Sequence, residues 1–370
     1  MRRHGKELTE VNHAWKRLQV EGVDVWIDMA ASAQDTAREV RRALGQGEVS
    51  GVRTGPARSA DELRQSCDLL RPLHRASEGV RGLVSVPLPA PPAPASPGAA
   101  EWWVARAREL REAVGRPNLV VRLSVDAADP ATLRGLFALG TPLEVAGVRS
   151  VGQYERAATA LLAALDGATR VASFISFDVA GVDHPVDARL DLIGSDEAKA
   201  LRGRAGLAAA RLAHREHDVV FSSARWGALA AAGAPEPRLL WLTGGFPLYR
   251  AAHVTQELVT RGTATAMTLA AGRALEESGT ICGDRVWRHY ADAERTLAYL
   301  DWFGISVESL ARRTLRVPGT PAPPAPPAAP EPPGVAPAES RLPPGRTGHT
   351  AQGASTAARR PGSRRPLAPA

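Results

Sequence analysis

Cysteine, lysine and long apolar runs are all scarce in this sequence, and each shortage excludes something. Two cysteines, Cys67 and Cys282, in 370 residues cannot build a disulfide framework. Neither lies in a C-x-x-C pair, so structural zinc is not expected and a reducing compartment is the simplest reading. No run is apolar and long enough to span a bilayer. The first residues, "MRRHGKELTEVNHAWKRLQVEG", carry basic side chains without the apolar segment of a secretory signal. A soluble, cytoplasmic protein without a membrane partner is expected. Lysine occurs three times, as Lys6, Lys16 and Lys199. The fingerprint G-x-G-x-x-G is absent, which weighs against a doubly wound dinucleotide fold.

What is present is basic overall, with a net charge of +7. The excess is unevenly placed: from Pro318 onward there are six arginines and two glutamates, a net of +4. The remainder is only modestly basic and has no basic stripe interleaved with aromatics, so a nucleic-acid partner is not expected. Composition breaks at the same point. "TPAPPAPPAAPEPPG" opens a Pro/Ala/Gly-rich segment that buries too little apolar area to offset its ordering entropy. Residues 1–317 are therefore expected to fold and 318–370 to form a disordered tail. The P-x-x-P spacings of that tail could dock in an aromatic-lined groove of a protein partner.

Within 1–317, eight β-rich runs recur: 23–29, 50–54, 83–88, 119–125, 142–148, 170–176, 238–244 and 264–269. Between them lie stretches with apolar residues at helical spacing, such as "AEWWVARARELREAVG", "VGQYERAATALLAALDG" and "SDEAKALRGRAGLAAARLAHREH". Eight strands alternating with helices predict an α/β fold, a (β/α)8 barrel of the TIM type, with a site at the C-terminal ends of the strands. One residue breaks the pattern. "RPNLVVRLSVD" reads as a strand buried on both faces, yet Arg122 stands at its centre, and a buried cation needs a partner or a task.

The chain resembles the transaldolase family in its actinobacterial form. The resemblance is carried by "GSDEAKALRGRAGLAAARLAH" and "VFSSARWGALAAAGAPEPRLLW". Weaker matches are "RLQVEGVDVWIDM", "LLRPLHRASEGVRGLVSV", "GRPNLVV", "ELVTRGTATAM" and "GDRVWRHYADAERTLAYLDWFGIS", and the whole runs in order from about residue 8 to about residue 312. It implies an (α/β)8 barrel that moves a dihydroxyacetone unit between sugar phosphates through a Schiff base on a strand-4 lysine, with no cofactor. In "NLVVRLS" the position of that lysine is held by Arg122. A guanidinium stays protonated and delocalised and is a poor nucleophile. Of the three lysines, two precede the first strand and Lys199 falls in a helical stretch.

Other family positions also differ. The T-T-N-P-S pattern after strand 2 becomes "RTGPA", which keeps Thr54 and introduces Arg53 and Gly55. The strand-3 glutamate becomes Pro87, followed by the proline-rich "APPAPASPG". On strand 5, Glu144 and Ala146 replace an asparagine and a threonine. After strand 6, "SFISFDVAGVD" keeps Ser173 or Ser176 but offers Asp178 or Gly181 where an arginine would hold phosphate. The family's covering C-terminal helix is replaced by the tail. Asp28 matches the strand-1 aspartate that serves as proton donor and acceptor, and Arg250 after strand 7 remains a candidate phosphate ligand.

The residues singled out are thus Asp28, Arg122 and Glu144 as the altered catalytic positions, and Thr54, Ser173, Ser176 and Arg250 as candidate binding residues for a sugar phosphate or other small anion. Arg122 is expected to pair with Glu144 on the neighbouring strand, and Arg53 with Asp28. His214 and His217, at i and i+3 without a third ligand, are expected on a solvated helix face, with no metal. The expected function is a degenerate transaldolase homologue that binds or regulates without Schiff-base transfer. The alternatives are an active transaldolase and a repurposed barrel enzyme in which Glu144 is the base.

Overall fold

A computed structural model describes residues 14–314, apart from 32–36, 46–48, 57–58, 90–97, 168 and 279. The tail from 318, most of "APPAPASPG", and Lys6 lie outside the described residues. In chain order the elements are α1 (Ala14–Val20), β1 (Asp24–Asp28), α2 (Ala37–Gly45), β2 (Gly51–Arg53), α3 (Ala60–Ala76), β3 (Leu83–Pro87), α4 (Ala99–Val114) and β4 (Leu119–Ser124). Next come α5 (Pro130–Ala138), β5 (Leu143–Val148), α6 (Val151–Ala164), β6 (Ser173–Asp178), α7 (Val179–Ile193), α8 (Asp196–Lys199), α9 (Ala205–Phe221) and α10 (Ala224–Ala231). The chain then forms β7 (Arg238–Leu242), α11 (Leu248–Glu257), β8 (Ala264–Met267), α12 (Leu269–Ser278), α13 (Tyr290–Trp302) and α14 (Val307–Thr314).

The strands pair in parallel, each with its sequence neighbours, and β8 closes on β1. This is the (β/α)8 barrel that the alternation predicts. Short polar caps set the helix starts: Ser59 and Glu62 form a reciprocal capping box on α3, while Asp129 and Ser150 accept backbone amides at α5 and α6.

The other strand ends fall within two residues of the sequence reading, and two elements differ more. The sixth strand begins at Ser173 rather than near residue 170, because Arg170 is drawn into the preceding loop by the carbonyls of Gly167 and Ala232, at 2.7 and 2.8 Å. The long helical stretch 195–217 divides into α8 and α9. Gly203, at φ 68°, supplies the left-handed turn between them.

Alternation along the strands sorts the side chains into layers. Val25, Ile27, Val121, Val145, Ile175 and Trp241 face outward into the helices. Trp26, Leu83, Val120, Phe174, Leu240 and Ala264 face inward and form an apolar plug. Trp26 lies across the barrel only because β2 has a glycine beside it. A Cβ on Gly51 would meet the indole at 2.4 Å. Below the plug, Asp24 takes Arg81 at 2.7 Å and Arg238 at 2.5 Å. Above it, nearer the C-terminal ends of the strands, the interior turns polar.

Candidate functional site

The polar layer is built two residues further along each strand than the plug. Trp26 is followed by Asp28, Gly51 by Arg53, Leu83 by Ser85 and Val120 by Arg122, and the register places Asp28 beside Arg53, Arg53 beside Ser85 and Arg122 beside Glu144. All five side chains are buried, with Glu144 at 0% exposure. Two arginines and two carboxylates make the group neutral as a whole, which is what burial of charge requires.

The expected pairs form, but the emphasis differs. Arg53, absent from the sequence-based choice of site residues, is the hub. Its Nη1 donates to Asp28 at 2.8 Å, and its Nε and Nη2 lie 3.0 and 2.9 Å from one oxygen of Glu144. The second Glu144 oxygen accepts a short hydrogen bond from Ser85, another residue that the sequence reading left out. Arg122 is the weaker partner. Its Nη1 is 3.9 Å from Glu144, too far for a hydrogen bond, and has no hydrogen-bond partner among the described residues. Its Nη2 donates to the Thr54 carbonyl.

These contacts set the charge states. Burial alone would push the Glu144 carboxyl up, but Arg53 and Arg122 outweigh it and hold it at about 2. Burial pulls the Arg53 guanidinium down, and the two carboxylates more than reverse this. For Arg122, burial wins over Glu144 and lowers the guanidinium to about 10, so it remains a cation at neutral pH.

The candidate binding residues are spread out. Thr54 is buried beside the cluster, its hydroxyl donating to the Ser85 carbonyl at 3.2 Å. Ser176 shares the parity of Phe174 and faces inward, whereas Ser173 shares that of Ile175 and Phe177, which pack outward. Arg250 belongs to the helical shell: it pairs with Asp183 of α7 at 3.3 Å and donates to the Gly203 carbonyl. Asp178 caps α7 through the Gly181 amide and takes Arg149 at 2.8 Å. Arg149, which follows strand 5, was not among the residues expected from the sequence.

His214 and His217 overturn the expectation of a solvated face. They are 7% and 8% exposed, because α9 is enclosed by α6, α7 and α13. The Tyr154 hydroxyl lies 2.7 Å from His217 Nδ1 and the Tyr290 hydroxyl 2.9 Å from His214 Nδ1.

No family model matches the chain. It is 30% identical to Transaldolase 1 of Streptomyces avermitilis over 80% of its own length and 89% of the relative's. The chain belongs to the transaldolase family. Against a transaldolase of Arthrobacter sp. the identity is 31% over 79% of this chain and 88% of the relative. Against that of Thermobifida fusca it is 38% over 68% and 70%. In this transaldolase-family barrel the charged interior is centred on Arg53. The two described lysines, Lys16 on α1 and Lys199 on α8, are exposed on helices outside the strands. No helix among the described residues is long and apolar enough to cross a membrane.

Proposed function

We propose that this transaldolase-family barrel does not carry out Schiff-base transfer of dihydroxyacetone and acts as a binding or regulatory protein. The observation that carries this reading is Arg122. It stands where the resemblance expects the reactive lysine, remains protonated at neutral pH, and can neither lose a proton readily nor attack a carbonyl. Lys16 and Lys199, exposed on outer helices, are poorly placed to take over.

The repurposed-enzyme reading is weaker. Glu144, held at about 2, is too weak a base for proton abstraction near neutral pH, and its oxygens are already engaged by Arg53 and Ser85. The Nη1 donor of Arg122 is unspent but buried, so a small anion such as a sugar phosphate would have to open the cluster to reach it.

The test is to incubate the full chain with fructose 6-phosphate and borohydride and read the intact mass, with Arg122→Lys in parallel. No adduct on the wild-type chain is expected. A stable adduct there would restore Schiff-base chemistry and overturn the proposal.

A further inference from the structure

A second polar concentration lies outside the strands, in a cavity of about 590 Å³ between α9, α11 and α13. Ligand cavities fall in roughly this size range. Arg202, Arg204, Arg211, Arg250, Arg295 and His253 line it, against one carboxylate, Asp292. Four of the arginines have counter-ions: Arg202 pairs with Asp191, Arg211 with Glu257, Arg250 with Asp183 and Arg295 with Asp292. Of those acids only Asp292 is on the lining, so the wall facing the cavity is strongly cationic. Arg204 and His253 are exposed and have no side-chain partner among the described residues. Arg204 is the residue just before the 17-residue α9, whose Gly206 amide is already taken by Asp183 at 2.7 Å, so the cationic field comes from the side chains.

The cavity does not end in charge. Leu201, Arg295 and Tyr299 also line an adjoining groove of about 750 Å³, together with Trp302, Phe303 and one carboxylate, Glu197. Trp302 is 77% exposed and Tyr299 59%. Large aromatic faces left open beside a cluster of guanidiniums match a ligand with a polyanionic end and a flat, weakly polar end.

We propose that this composite site binds a nucleotide, with its phosphates among Arg204, Arg211 and Arg295 and its base against Tyr299 and Trp302. The site shares no residue with the charged barrel interior and stands whatever that interior does. A sugar phosphate would satisfy the arginines but leave the aromatic groove unused. The excess of guanidinium over carboxylate suits more than one phosphate.

The experiment is isothermal titration of the full chain with ATP, and separately with inorganic pyrophosphate, at low salt. ATP should bind roughly tenfold or more tightly than pyrophosphate. Arg204→Glu should weaken both by roughly tenfold or more, and added salt should weaken both further. Trp302→Ala should reduce ATP affinity to that of pyrophosphate and leave pyrophosphate unchanged. Both residues are exposed, so neither substitution should disturb folding, and thermal melts would show it: ATP should raise the melting temperature of the wild type and not of Arg204→Glu. Absence of heat with millimolar ATP would overturn the proposal. So would equal affinity for ATP and pyrophosphate, which marks a simple anion site, or an Arg204→Glu variant that binds ATP as before.

Discussion

Arg53 on β2 reaches across the barrel to Glu144 on β5, a strand it does not pair with and a residue 91 positions away in sequence, at 3.0 Å. The same guanidinium holds Asp28, so one arginine ties three strands together where the family resemblance places the reaction centre.

Removing that tie should cost more than removing Arg122. Arg53→Ala leaves Asp28 and Glu144 buried without their shared cation, a loss of ~3–5 kcal/mol. Arg122→Met keeps the volume, removes a cation whose burial its one distant carboxylate does not offset, and should cost only ~0–2 kcal/mol. Chemical denaturation of the two variants measures the difference. Equal losses would mean that Arg53 is not the hub.

Acid should act through Glu144. Its folded pKa is lowered from 4.5 to about 2, so the stability it contributes is present in full above 4.5 and is lost as the pH falls toward 2. Unfolding free energy measured across that window should therefore decline. Glu144→Gln should start less stable and show a shallower decline, whereas an unchanged slope would place the acid sensitivity in other carboxylates.

Gly51→Ala should destabilise the barrel although alanine is the smallest possible change. The new Cβ meets the Trp26 ring at 2.4 Å, inside a plug with no room to shift. Overpacking of this kind costs ~1–3 kcal/mol. A lowered melting temperature that recovers when Trp26→Leu is added would locate the clash.

Tyr154→Phe should destabilise through His217. The substitution removes the hydroxyl 2.7 Å from a buried ring nitrogen and strands that nitrogen, at a cost of ~1–3 kcal/mol. Denaturant titration reads it. A neutral outcome would mean that Nδ1 finds a new partner, since Glu236 already faces the other nitrogen at 3.3 Å.

The barrel was legible in the sequence because a parallel strand covered on both faces leaves a local trace. "LVVRLS", "LEVAGV" and "RLLWL" are each short, apolar and bounded by turns or helical periodicity. Lateral pairs were legible too, since Arg122 and Glu144 occupy matching places on neighbouring strands. Less legible was anything that depends on how far a side chain reaches. Arg122 drew attention by interrupting an apolar run, while Arg53, in the unremarkable "SGVRT", proved the better connected of the two.

The sequence by itself determined the eight-stranded alternation, the arginine where a reactive lysine is expected and the lack of any lysine in the eight β-rich runs, because these are properties of residue order and side-chain chemistry. Tertiary structure alone decided that Arg53 joins Asp28 to Glu144, that His214 and His217 are buried, and that three helices gather arginines beside an aromatic groove. Closure and stagger of the barrel bring non-neighbouring strands within one side chain's reach, and helix packing decides which face is covered. Neither distance leaves a period in the chain.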